Sequence, residues 1–163
     1  YPPLRLSYRG GGEFLQMIGV GLVPPMIGFS AHVGTFAGLP WALMPLMLIL
    51  SLSCAMATAL PDEPSDRADR KRTHAVRFGV ASTQRTILRL NAVALVWLVF
   101  VPLPGTPLIG RAVLALPCLV LWLDSLRLSG VRPGESGMLH FVTAQVAFCL
   151  APMIGLTVML LVC

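Results

Sequence analysis

Charge is what this 163-residue chain has least of. Only 12% of its residues are Asp, Glu, Lys or Arg, against 56% hydrophobic, and its mean hydropathy is +0.80. A soluble domain carries about 25% charged residues, so the composition excludes an ordinary water-soluble fold. No nucleic-acid partner is expected of such a chain, whose net charge is +5. Cysteine is sparse as well. Cys54, Cys118, Cys149 and Cys163 stand in apolar segments with no CxxC and no His at ligand spacing. They read as small hydrophobes, and neither a disulfide nor a thiolate metal site is expected. No internal repeat stands out, and no basic–apolar–small signal peptide opens the chain. The first residue is Tyr1 and not Met, so the chain is expected to be processed or part of a longer protein.

Long hydrophobic runs fill the space that charge leaves. No acidic residue, Lys or Arg occurs between Phe14 and Pro61. A span of about 20 apolar residues crosses a hydrocarbon core about 30 Å thick, so this stretch holds two spans and a turn. Five spans are expected over residues 14–34, 39–60, 87–103, 108–126 and 138–162. The expected class is therefore all-α, a polytopic transmembrane helix bundle lying in a lipid bilayer. Pro24, Pro25, Pro45, Pro117 and Pro152 fall inside these spans. Neighbouring helices in a bundle re-satisfy the backbone groups that proline frees, so kinks are expected rather than breaks. Gly19, Gly21, Gly28 and Gly34, with Ala55, Ala57 and Ala59, are positions where helices could approach closely.

The connecting segments alternate in charge. Every basic residue but Arg111 lies in or beside segments 1–12, 61–86 and 127–137. By the positive-inside rule these three are cytoplasmic, which puts the C-terminus outside. Trp41 reads as an interface anchor, Trp97 and Trp122 as packing residues, and His32 and His140 as interfacial.

Segment 61–79, PDEPSDRADRKRTHAVRFG, concentrates the chemistry. It holds four of the seven acidic residues and five of the twelve basic ones. Asp62, Asp66 and Asp69 are spaced to share one helix face, and Pro64 suits a first helical turn that Asp62 would cap. Clustered carboxylates stay ionised beside a positive partner. A hard cation such as Mg²⁺ bridges one or two of them to a substrate's phosphates. Lys71, Arg72 and Arg77 would add charge for a polyphosphate. The bland alternative is a solvated helix with Glu63–Arg67 and Asp66–Arg70 pairs, each contributing a few tenths of a kcal/mol. Glu13 is placed to pair with Arg9, and Asp124 with Arg127. His74, amid the basic block, is a candidate phosphate contact.

LPDEPSDRADRKRTHAVRFG resembles the second aspartate-rich motif of the UbiA family of intramembrane prenyltransferases. The family pattern is D-x-x-x-D followed by K-R-T-x-x-V-R-x-G. Asp62 and Asp66 fill the acidic positions, Lys71-Arg72-Thr73 the basic block and Val76-Arg77-Phe78-Gly79 the tail. The opening PPLRLSYRGGGEFLQ is similar to the segment before the family's fifth helix, through Pro3-Leu4-Arg5-Leu6 and Tyr8-Arg9-Gly10-Gly11-Gly12-Glu13. This run is common among 1,4-dihydroxy-2-naphthoate prenyltransferases. Two departures stand out: Arg70 where the family usually has Gly, and His74 where it has an aliphatic residue. The family's first aspartate-rich motif is not in this sequence and is expected upstream of Tyr1.

The resemblance implies that residues 1–163 are the C-terminal part of one nine-helix domain, helices five to nine, with 61–86 as its cytoplasmic active-site loop. It implies Mg²⁺-dependent transfer of a polyprenyl group from a prenyl diphosphate to an aromatic acceptor in a bacterial cytoplasmic membrane. The naphthoate of menaquinone biosynthesis is the expected acceptor; 4-hydroxybenzoate, chlorophyllide, haem or a glyceryl lipid are alternatives. The implied metal ligands are Asp62, Asp66 and Asp69, the first two catalytic. The implied diphosphate contacts are Lys71, Arg72, Arg77, Arg5 and Arg9. A transporter would show ionisable groups at mid-membrane and repeat symmetry, and the sequence has neither. A non-catalytic membrane module is the remaining rival.

Overall fold

Runs of Leu, Val, Ala and Met without interruption by charge leave the backbone one way to satisfy itself in an apolar medium, the α-helix. The computed structural model describes residues 6–102 and 106–162, and among them there is helix and no strand. The helices are α1 (Leu6–Arg9), α2 (Gly12–Gly21), α3 (Val23–Val33), α4 (Met44–Thr58), α5 (Glu63–Ala68), α6 (His74–Phe78), α7 (Val80–Phe100), α8 (Leu108–Arg127) and α9 (Ser136–Val162). Arg5, with the Pro3-Leu4-Arg5 part of the first motif, and Cys163 lie outside the described residues.

Among the described residues three helical stretches are long and apolar enough to cross a membrane: Gly12–Val33, Leu108–Arg127 and Ser136–Val158. The first is α2 and α3 end to end, interrupted at Leu22 just before Pro24 and Pro25. Helix α4 is apolar but only 15 residues long, about 22 Å. Pro24, Pro25 and Pro45 lie in first turns, where the missing N–H is not needed, while Pro117 and Pro152 are carried inside α8 and α9.

Helix α7 begins at Val80, seven residues before the expected start of its span. Its first turns carry polar residues on two faces: Arg85 is exposed, while others point inward. Thr83 and Gln84 are fully buried. Thr83 donates to Gly79 O at 2.9 Å, and Gln84 Nε2 donates to Val131 O at 3.0 Å while Gly130 N donates to Gln84 Oε1 at 2.8 Å. Hydropathy hides such a helix end, because its polar groups are satisfied inside the protein.

Two apolar clusters stack along the bundle. One joins Leu46, Leu50, Ala94, Leu98, Cys118, Phe148 and Leu156. The other, at the charged end, joins Met56, Ala57, Leu60, Ala75, Ile87, Met138 and Phe141. Side chains of four helices are joined by a buried polar chain. Ser53 donates to Asn91 Oδ1 at 2.6 Å, Asn91 to Gln145 Oε1, and Gln145 Nε2 to Ser125 Oγ at 2.6 Å. Every member is paired, so the chain fixes the register of α4, α7, α8 and α9 without leaving an orphan group. Trp97 and Trp122 hold neighbouring segments through indole N–H bonds to Ala42 O and Leu88 O.

Helix α2 meets α4 closely at one glycine. A Cβ built on Gly21 would lie 2.8 Å from both Met47 O and Ser51 Oγ. Gly21→Val is therefore expected to lower stability by about 1–3 kcal/mol through overpacking, read as a drop in Tm of the purified protein. Gly28→Val is the matched control, since a Cβ there meets nothing within 4 Å.

Candidate functional site

Leu60 closes the second core cluster, and the chain turns at Pro61 into α5. Asp62 is its N-cap residue and Pro64 sits in the first turn, as the sequence suggests. The Asp62 side chain makes no capping bond and is exposed. Asp66 lies one turn on and is 6% exposed. Lys71 Nζ donates to Asp66 Oδ1 at 2.7 Å and lies 3.8 Å from Asp69 Oδ2. The Asp66 carboxylate, with Asp69 adding, holds the Lys71 ammonium above its ordinary pKa. Glu63 pairs with Arg67 as expected, Nε to Oε1 at 2.7 Å. Asp66 takes Lys71 where the i, i+4 spacing suggested Arg70.

The ending of α5 makes that choice. Arg70 N donates to Arg67 O and Lys71 N donates back to Asp66 O at 2.9 Å, a Schellman closure. It requires a left-handed residue at Arg70, whose φ is +58°. That is the position where the sequence departs from the family's Gly. The closure folds Lys71 back over α5 onto Asp66 and sends Arg70 outward. Arg70→Gly is expected to stabilise the protein by about 1 kcal/mol, because Gly adopts this conformation without steric cost. A rise in Tm is the check.

After the closure, Thr73 caps α6 with its hydroxyl. The N-terminus of α6 also receives a ligand from the far end of the sequence. Glu13 Oε1 accepts the His74 N–H at 2.6 Å, where the i, i+4 spacing had suggested Arg9. Beside it, a Cβ built on Gly10 would lie 2.7 Å from Arg77 Nη1 and 3.3 Å from Arg72 O. Gly10 has φ +87°, so both its turn and the close approach of Arg77 need glycine. The Arg77 guanidinium lies 5.1 Å from the Phe78 ring centre. The YRGGGE run and the KRTHAVRFG run are thus packed against each other.

Between them is a cavity of about 300 Å³. Its polar walls are Glu13, Arg72, His74 and Arg77; Phe14, Leu52, Met56 and Leu90 give it an apolar floor from α2, α4 and α7. His74 Nδ1 lies 2.8 Å from Thr83 Oγ1, and its ring rests on Phe78. Burial, with Arg77 adding, pulls the His74 imidazole below its ordinary pKa, against a smaller opposite pull from Glu13. Arg72 and Arg77 therefore face this cavity together. Lys71 is turned to the aspartates, and Arg9 ends α1 on the exposed surface. Asp62, Asp66 and Asp69 lie outside the cavity's lining.

Among the described residues no group of three or more His, Cys, Asp or Glu side chains is placed to hold a metal. Mg²⁺ does not need one. It keeps several waters and takes one or two carboxylates plus substrate phosphates. An exposed Asp62 carboxylate free of any cap bond, one helical turn from Asp66, fits that donor set.

At the third charged segment Asp124 meets His140 Nε2 at 2.9 Å, joining α8 to α9, where the spacing had suggested Arg127. The bonds of Gln84 to Gly130 and Val131 tie this segment to the start of α7. All three charged segments therefore gather at one end of the bundle.

No curated protein and no solved structure matches the chain. The profile of the UbiA prenyltransferase family matches residues 1–143. That match spans both packed motifs, the cavity between them and four of the five expected spans, and the chain belongs to the UbiA prenyltransferase family.

Proposed function

We propose that this chain forms the second half of a prenyl-transfer site, in which loop 61–79 and the start of α2 receive a prenyl diphosphate from the cytoplasmic side. Family membership implies prenyltransferase activity. The observation that carries the finer reading is the docking of the two motifs through Glu13 on the His74 N–H and Gly10 against Arg77. It turns Arg72 and Arg77 toward one cavity whose floor is apolar. A diphosphate needs concentrated positive charge, and its isoprenoid tail needs hydrocarbon walls that exclude water.

Asp62 and Asp66, with Asp69 as third candidate, would hold Mg²⁺, which supplies charge neutralisation for the departing pyrophosphate. Arg72 and Arg77 act on the same charge from the cavity wall, and Lys71 orients Asp66 through its hydrogen bond. Arg9, exposed at the end of α1, and Arg5 are read as further diphosphate contacts. The whole of residues 1–163 is read as one portion of a single transmembrane domain, with 1,4-dihydroxy-2-naphthoate as the acceptor and menaquinone synthesis as the setting. The naphthoate assignment rests on the YRGGGE run, whose Gly10 and Glu13 make the contacts just described.

The test is a transfer assay on membranes holding the protein expressed from its complete reading frame. A radiolabelled prenyl diphosphate is offered with each aromatic acceptor in turn. Mg²⁺-dependent transfer to dihydroxynaphthoate is the expected result. Transfer to another acceptor would replace the substrate, and transfer to none would overturn the reading.

A further inference from the structure

We propose that His74 is the base that accepts the proton of the aromatic acceptor's hydroxyl during prenyl transfer. This rests on the prenyl-transfer reading above and adds to it a residue that departs from the family pattern.

The geometry assigns the two ring nitrogens different tasks. Thr83 has one hydroxyl proton, and it is donated to Gly79 O at 2.9 Å. The same oxygen, 2.8 Å from His74 Nδ1, is then an acceptor, so Nδ1 carries the ring proton. The remaining nitrogen, Nε2, has a free lone pair. The ring is held by Thr83 and by the Phe78 ring with centroids 4.7 Å apart, and its backbone is fixed by the bond to Glu13. It stands in the wall of the cavity that Arg72 and Arg77 also line. The charged groups facing it are Glu13 from α2, Arg77 from α6 and Arg72 from the preceding turn, and α7 offers only the hydroxyls of Thr83 and Thr86. Burial of the ring favours a neutral imidazole over the opposing pull of Glu13, with Arg77 adding to burial, and the neutral ring is the form a base requires.

The step balances as follows. The allylic C–O bond breaks and its electron pair leaves with pyrophosphate. A ring π pair of the acceptor forms the new C–C bond, and the O–H pair becomes a C=O as its proton passes to Nε2. The alkylated carbon then gives its own proton to the released pyrophosphate, or loses its carboxylate as CO₂; the pair of the broken bond restores the aromatic ring, and the carbonyl oxygen takes a proton back from Nε2. The imidazole ends as it began. Thr83 is a positioning residue, acting only through Nδ1.

Kinetics and spectroscopy test this separately from the parent reading. In the wild type, kcat/KM should fall on the acid side with a break below the ordinary histidine value of about 6.5. His74→Gln should flatten that limb and lower kcat by about a hundredfold, with binding of the prenyl diphosphate unchanged. A rise in KM for the diphosphate at unchanged kcat would make His74 a phosphate contact and overturn the proposal, as would an unaltered acid limb. Thr83→Val should leave the imidazole in place but weaken its effect, lowering kcat while retaining an acid limb. ¹⁵N-histidine spectra of the wild-type protein need no active-site variant; His32→Gln and His140→Gln remove the other two histidine signals. A neutral ring protonated at Nδ1 near pH 7 is expected, and an Nε2-protonated ring or an imidazolium overturns the assignment. A wild type that transfers no prenyl group overturns the parent reading together with this one. A wild type that transfers normally beside an unimpaired His74→Gln overturns this one alone.

Discussion

Asp66→Asn should abolish prenyl transfer, with kcat reduced by about a thousandfold or more, while the protein still folds. The side chain keeps its size and one acceptor oxygen for Lys71, so packing around its buried position changes little. What is lost is the negative charge. A Mg²⁺ at this loop would have one carboxylate in place of two, and the charge developing on pyrophosphate would lose much of its stabilisation. Losing one electrostatic stabiliser in a water-poor site costs about 3–4 kcal/mol of barrier, which is two to three decades in rate; loss of the metal adds to it. Transfer by membranes containing the variant at matched expression is the measurement. Activity within a few-fold of wild type would remove Asp66 from the metal site. Chelation of Mg²⁺ in the wild type should produce the same loss.

The second large effect is expected at Glu13, 61 residues from the group it binds. Its carboxylate accepts the His74 N–H at the start of α6 and so joins α2 to the turn that carries Arg72 and Arg77. A hydrogen bond to a charged group contributes about 1.5–3 kcal/mol. If that energy assembles the cavity, Glu13→Ala should lower kcat/KM about ten- to hundredfold and reduce Tm as well. Glu13→Gln keeps an acceptor without the charge and should recover part of both. An effect on Tm with no effect on transfer would confine Glu13 to folding.

What the sequence made legible follows from physics that acts locally. Uninterrupted apolar runs predict the helices, and the alternation of Arg-rich and Arg-free turns predicts which ends meet. The packing of the YRGGGE turn beside loop 61–79 agrees with that alternation. Asp62 as the N-cap residue of α5 was readable from Pro64 two residues on. Partners were not. Helical spacing offered Arg9 to Glu13, Arg70 to Asp66 and Arg127 to Asp124, and the structure took His74 N–H, Lys71 and His140. In each case a turn or a crossing helix brought a competitor that local spacing cannot see. The left-handed Arg70 was hinted at only by its departure from Gly. Asn91 and Gln145 were visible as rare polar residues within spans, but their pairing depends on the register between α7 and α9. The early start of α7 was hidden because Thr83 and Gln84 are polar and buried at once.

The central claim is that loop 61–79 binds a diphosphate through Mg²⁺ and its own bases. Equilibrium binding of a non-hydrolysable prenyl diphosphate analogue to the purified full-length protein tests it most directly. Affinity should be high with Mg²⁺, should fall at least tenfold with a chelator, and should fall again in Arg72→Ala, whose side chain lines the cavity. Binding that is indifferent to the chelator and to Arg72→Ala would contradict the claim and leave the charged loop as a topological anchor.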